Sequence, residues 1–136
     1  MKDYDNFFLP ANDLGKAKDF FRNTLGLPIK FDFSERGMVA FKVGDQEPAI
    51  ILKDTNKFQN VKPAIWLVVE SVKEKYTELT GKGVRFLSEP FRIPTGMAVE
   101  FEDPFKNRLG ITDYSKENDQ IPIGIMSKQQ LPESSS

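Results

Sequence analysis

The 136-residue chain contains no histidine and no cysteine. Histidine is the commonest transition-metal ligand and the commonest general base near neutral pH. Triads built on histidine are therefore excluded. A zinc, nickel or iron site would have to be made from carboxylates and amides, which suit harder ions. Disulfides are excluded too, which is compatible with a reducing compartment. Neither charge is in excess: 19 Lys and Arg stand against 20 Asp and Glu, for a net charge of −1. A near-neutral chain without basic runs is a poor partner for nucleic acid or an anionic membrane surface. No Gly-rich phosphate loop or dinucleotide fingerprint occurs. No apolar run approaches the ~20 residues of a membrane span, and the opening MKDYDNFFLPAND does not read as a signal peptide. A cytoplasmic protein without nucleic-acid or membrane partners is expected.

What is present is an ordinary globular mix, 39% apolar and 29% charged. One domain over residues 1–114 is expected, with a tail over 115–136. Asn6–Leu9 reads as a strand ending at Pro10, and Asn12-Asp13 supplies a helix cap. Leu14, Ala17, Phe20, Phe21 and Leu25 then recur at helical spacing up to Gly26. Strands are expected at Ile29–Phe33, Met38–Val43 and Pro48–Lys53, separated by the turn segments SERG and GDQE. After the linker DTNKFQNVK the order repeats. Ala64–Val69 is a buried strand, and Ser71 and Glu74 form a capping box. Val72, Tyr76 and Leu79 line the inner face of the helix that follows. Strands at Val84–Leu87, Met97–Phe101 and Arg108–Asp113 complete it. The fold class is α+β: two βαβββ modules, about residues 4–54 and 62–114, building a cupped mixed or antiparallel sheet with helices outside. The tail carries a short apolar patch, Ile121–Met126, and ends in a serine run that is expected to be disordered.

Paired βαβββ modules, the early segment DLGKAKDFFRNTLGL and the late hairpin DPFKN together resemble the vicinal oxygen chelate superfamily, the glyoxalase, bleomycin-resistance and extradiol-dioxygenase group. Asp13, Leu14, Phe20, Phe21, Leu25 and Gly26 fall in step with its early motif. Phe105-Lys106 stand where Asp-Gly is common in its late turn. The resemblance implies a homodimer. It also implies four metal-ligand positions, which fall on Asn6, Ile51, Ala64 and Gly110. One amide, two hydrocarbons and a glycine do not make a transition-metal site, so no metal cofactor is expected.

Strand parity extends from those positions along the cup face. Phe8 accompanies Asn6, Lys53 accompanies Ile51, Trp66 and Val68 accompany Ala64, and Arg108 and Thr112 accompany Gly110. Ile65, Leu67 and Val69 are expected to pack inside. The expected ligand-binding wall is thus Phe8, Ile51, Trp66 and Val68, with Asn6, Lys53, Arg108 and Thr112 as polar points. Trp66 reads equally as core or dimer interface, Phe8 reads first as packing, and Lys53 and Arg108 read by default as solvated strand-end charges. Glu100 and Glu102 are candidates for a base or for an exposed alternation. Three functions follow: a metal-free protein that binds a hydrophobic or aromatic small molecule, a metal-dependent lyase, isomerase or dioxygenase, and a non-catalytic dimeric interaction module with a self-filled cup.

Overall fold

The computed structural model describes residues 1–115. The Ile121–Met126 patch and the serine run lie outside the described residues. The fold is α+β, with eight strands and two α-helices in the described part. Its residues group into two compact units, residues 4–66 and residues 1–3 with 67 onward.

The first unit holds β1 (Asp3–Ala11, from Tyr4 on), α1 (Leu14–Asp19), β2 (Ile29–Phe33), β3 (Met38–Lys42) and β4 (Ala49–Asp54). Its strands lie in the order β2-β3-β4-β1, antiparallel except for the parallel pairing of β1 with β4. Pro10 does not end β1. Proline lacks an N–H but keeps its carbonyl and a strand-compatible φ, and the strand continues to Ala11, whose carbonyl accepts from Thr55. Asp13 caps α1 by accepting the Lys16 N–H. The helix then widens into a π-turn over Phe20–Thr24, with the Leu25 N–H reaching back to Phe20. The wider turn breaks the 3.6-residue stripe, so Phe20 and Leu25 are exposed rather than buried. Leu14, Val39, Phe41 and Leu52 form the helix-side core, joined by Leu9, Ala17 and Phe21.

Strand β5 (Ala64–Val68) leads into the second unit, which holds α2 (Val72–Gly81), β6 (Phe91–Ile93), β7 (Gly96–Glu102) and β8 (Arg108–Thr112). The Ser71 hydroxyl accepts the Glu74 N–H at the start of α2. Antiparallel pairing orders the strands β8-β7-β6. The expected strand at Val84–Leu87 does not form. Phe86 makes a single bridge to Phe101 and turns its ring onto Tyr76 and Phe101 instead. The strand before β7 starts only after Pro90, and Pro94-Thr95 close its hairpin. Val69, Val72, Val99 and Ile111 form this unit's core. Ile65, expected inside, is 42% exposed, and it belongs to neither apolar cluster.

Candidate functional site

Residues opposite one another on paired strands share a sheet face. In the first unit Phe31, Ala40, Ile51 and Phe8 lie side by side across β2, β3, β4 and β1. Phe33, Met38 and Lys53 form the adjacent row. Phe31 and Phe33 stack at 4.9 Å, and Phe8 stacks on Trp66 at 4.8 Å. The result is an apolar wall of two ring pairs with Ala40 and Ile51 between them. Phe8, Ile51 and Trp66 are 5–7% exposed and make its floor, while Phe33, at 47%, opens it to solvent.

Two cations rest on these rings. Lys53 Nζ lies 4.8 Å from the Phe8 centroid and 5.0 Å from the Phe58 centroid, within the range of cation–π attraction. The Arg36 guanidinium lies 5.8 Å from the Phe33 centroid. Phe58 belongs to the segment after β4, which is an organised turn. Asp54 Oδ1 accepts from the Asn56 N–H and side-chain amide, the Phe58 N–H donates to the Asp54 carbonyl, and Lys57 Nζ donates to the Glu35 carbonyl. Gly37, at φ 90°, lets the Phe58 ring approach, since a Cβ there would lie 3.1 Å from Phe58 Cε2. Asn6 also belongs to this unit, and its Oδ1 accepts the Ala49 N–H at 2.9 Å.

The corresponding face of the second unit is polar. Glu102 pairs across the ladder with Arg108, Glu100 with Gly110 and Ala98 with Thr112. The Arg108 guanidinium bridges Glu100 at 3.4 Å and Glu102 at 3.3 Å, and only 9% of its side chain is exposed. The Thr112 hydroxyl donates to the Met97 carbonyl. Val68 is half-buried, and its carbonyl accepts the Lys2 N–H. Asp113 is 3% exposed and ties the unit together. Its carboxylate accepts from the Val72, Met97 and Ser115 N–H groups and from the Ser115 hydroxyl.

Of the expected site residues, the first unit therefore brings together Phe8, Ile51, Lys53 and Trp66, with Asn6 on the same strand as Phe8. Val68, Arg108 and Thr112 belong to the second unit. Sequence reasoning missed Phe31, Phe33, Met38, Arg36 and Phe58. The i, i+2 spacing of Phe31 and Phe33 was a usable signal, but Phe58 sits in what reads as a linker and had none.

The four positions that the family resemblance assigns to metal do not fit one. Ile51 and Ala64 are buried hydrocarbons, Gly110 has no side chain, and the Asn6 carbonyl oxygen is engaged by Ala49. Among the described residues no group of three or more His, Cys, Asp or Glu side chains is arranged to hold a metal ion. Nor is any helix there long and apolar enough to cross a membrane.

The chain is similar in structure to solved proteins at low identity. One is the NAD-dependent benzaldehyde dehydrogenase from Legionella pneumophila (17% identity, TM-score 0.66, covering 80% of this chain and 97% of that one). A single-substitution variant of the Streptomyces coelicolor methylmalonyl-CoA epimerase, in complex with 2-nitronate-propionyl-CoA, gives 17% identity and a TM-score of 0.65, over 85% and 99% of the two chains. The Mycobacterium tuberculosis methylmalonyl-CoA epimerase gives 15% and 0.63, over 82% and 87%. These likenesses show the fold alone. No curated protein matches the chain. The family model for the glyoxalase/bleomycin resistance protein/dioxygenase superfamily matches residues 4–111. The chain belongs to that superfamily.

Proposed function

We propose that the chain is a metal-free small-molecule-binding protein that holds an apolar or aromatic ligand on the ring-lined face of its first module. The observation that supports this is one apolar face that carries the Phe8–Trp66 pair, Ile51 and Ala40, and the Phe31–Phe33 pair with the solvent-open Phe33. Ligand sites are built in this way, mostly apolar and aromatic with a few placed polar groups. A metal-dependent lyase, isomerase or dioxygenase would need donors that Asn6, Ile51, Ala64 and Gly110 do not supply. The reading includes a homodimer, which sedimentation would report as twice the 15.5 kDa chain mass.

The test is a panel of naphthalene, biphenyl and indole compounds added in the presence of EDTA. A binder at roughly 100-fold over its Kd stabilises the fold by about 2.7 kcal/mol and raises the melting temperature. It also changes the emission of Trp66 saturably, and Trp66→Phe removes the emission signal while leaving the thermal shift. A panel that moves neither readout contradicts the binding reading and favours the interaction module with a self-filled face.

A further inference from the structure

The binding reading leaves open how long a ligand the face accepts. We infer that Phe58 is the end stop of that face and a determinant of specificity: its ring closes the face at the β2–β3 hairpin and limits the ligand to about two fused rings along the strands. The inference rests on the binding reading above.

The first argument is position. Ala40, Ile51 and Phe8 are 0–7% exposed, whereas Phe33 is solvent-open and Phe31 and Met38 are half-buried. A ligand therefore meets the face at its Phe33 end. Met38 pairs with Phe33, and Gly37, the residue before it, lies under the Phe58 ring. The same ring is 5.0 Å from Nζ of Lys53, the residue opposite Met38 on β4. Phe58 thus stands just beyond the Phe33–Met38–Lys53 row. From the Phe31 row to that row is two residues, about 7 Å. An aryl group lying along the strands runs into Phe58 when it outgrows that length. In the opposite direction the apolar surface ends, because the next residues on the same side of β1 and β3 are Asn6 and Lys42.

The second argument is the way Phe58 is held. Asp54 Oδ1 accepts from the Asn56 N–H and side-chain amide, and that amide also donates to the Asn12 carbonyl. The Lys57 and Phe58 N–H groups donate to the Asp54 carbonyl, and Lys57 Nζ donates to the Glu35 carbonyl. The turn is thereby tied to β4, to the residue before the α1 cap and to the β2–β3 hairpin itself. Gly37 completes the seat: at φ 90° it carries no Cβ, and one there would come within 3.1 Å of the ring. A half-buried ring fixed at this many points does not yield to a longer ligand, and overlap with a fixed side chain is costly in a close-packed site. Length is then read by a wall, and ring chemistry by Phe31 and Phe33.

The experiment is calorimetric titration of the full chain with 2-naphthol and with the longer 6-phenyl-2-naphthol. The parent protein is expected to bind the longer compound about tenfold more weakly or worse. Phe58→Ala should bind the longer compound about tenfold tighter than the parent does and hold 2-naphthol within about threefold, which also shows that the variant is folded. A residue that only braces the turn would change both affinities together, so the ratio of the two is the deciding readout. Equal affinities in the parent protein, or a preference for the longer compound, overturn the inference and leave the binding reading intact. A Phe58→Ala ratio equal to the parent's does the same. If Phe58→Ala binds neither compound, Phe58→Leu decides: a ratio moved toward the longer compound supports the stop, and an unmoved one overturns it. Binding of neither compound by the parent protein overturns the inference and counts against the binding reading itself.

Discussion

The two modules repeat one pattern and then depart from it on one face only. Val39-Ala40-Phe41 in β3 corresponds to Val99-Glu100-Phe101 in β7, and the registers agree. Val39 opposes Leu52 as Val99 opposes Ile111, and Ala40 opposes Ile51 as Glu100 opposes Gly110. Val39, Phe41 and Leu52 in the first set and Val99 and Ile111 in the second are buried in apolar clusters, and Phe101 packs half-buried against the second. The other face carries Phe31, Phe33, Ile51 and Lys53 in the first module and Glu100, Glu102, Arg108 and Thr112 in the second. Packing against a helix demands the same chemistry twice, because close-packed interiors tolerate little change of volume or polarity. The opposite face has no such constraint, and there the modules have diverged. The fold is thus written on one side of these strands, and the proposed function concerns the other.

The largest expected effects test the repeated side. Leu52→Ala and Ile111→Ala occupy corresponding positions, and each should cost about 2–5 kcal/mol in denaturant unfolding. A gap between them much above about 1 kcal/mol would break the equivalence of the two cores.

Gly96→Ala should cost about 1–3 kcal/mol, because the added Cβ would lie 2.5 Å from the Asp113 carbonyl oxygen. The same hub sets an acid limb. Burial pushes the Asp113 carboxyl up, but the Val72 and Met97 N–H groups, with the hydroxyl and N–H of Ser115, outweigh it and hold the carboxyl below its usual range. A depressed folded-state pKa contributes stability that is fully present above the unfolded value, about 3.9, and is lost as pH falls through the folded value. Stability should therefore fall on acidification below about pH 4, and Asp113→Asn should flatten that slope while lowering stability at pH 7.

Smaller effects test the divergent side. Arg108→Met leaves two half-buried carboxylates without their shared cation and should cost about 1–3 kcal/mol. Lys53→Met should cost no more than about 1 kcal/mol. A comparable loss at both would mean that the first module's face is also built for stability rather than for a ligand. The smallest change is a gain. Lys106 takes φ 69°, where glycine is at ease, and Lys106→Gly should stabilise by about 0.5 kcal/mol, read as a slightly higher melting temperature.

Much of the fold was legible in the sequence because its boundaries are local chemistry. Asp13 and Ser71 cap helices, and the Asp103 carboxylate closes the last hairpin by accepting from the Phe105 and Asn107 N–H groups. The errors arise where tertiary packing overrides the local pattern. The π-turn at Phe20–Thr24 rotates Phe20 and Leu25 outward, and the Phe86 ring is drawn to Tyr76 and away from a strand. The face shared by Phe8, Ile51 and Lys53 follows from a period of two once a single residue is placed. Phe31 and Phe33 could have been added by carrying that period two strands further, through β3 to β2. Phe58 could not, because its position depends on a turn closed by Asp54 and on the missing Cβ of Gly37.

The central claim is that the superfamily frame is used here without its metal. Elemental analysis tests it most directly: untagged protein is equilibrated with nickel, zinc, manganese and iron and then desalted. The account predicts well under about 0.1 equivalent of any metal, since the ligand positions lack the donors for retention. Stoichiometric retention of one of them would contradict it and return the chain to the metal-dependent enzymes of the superfamily.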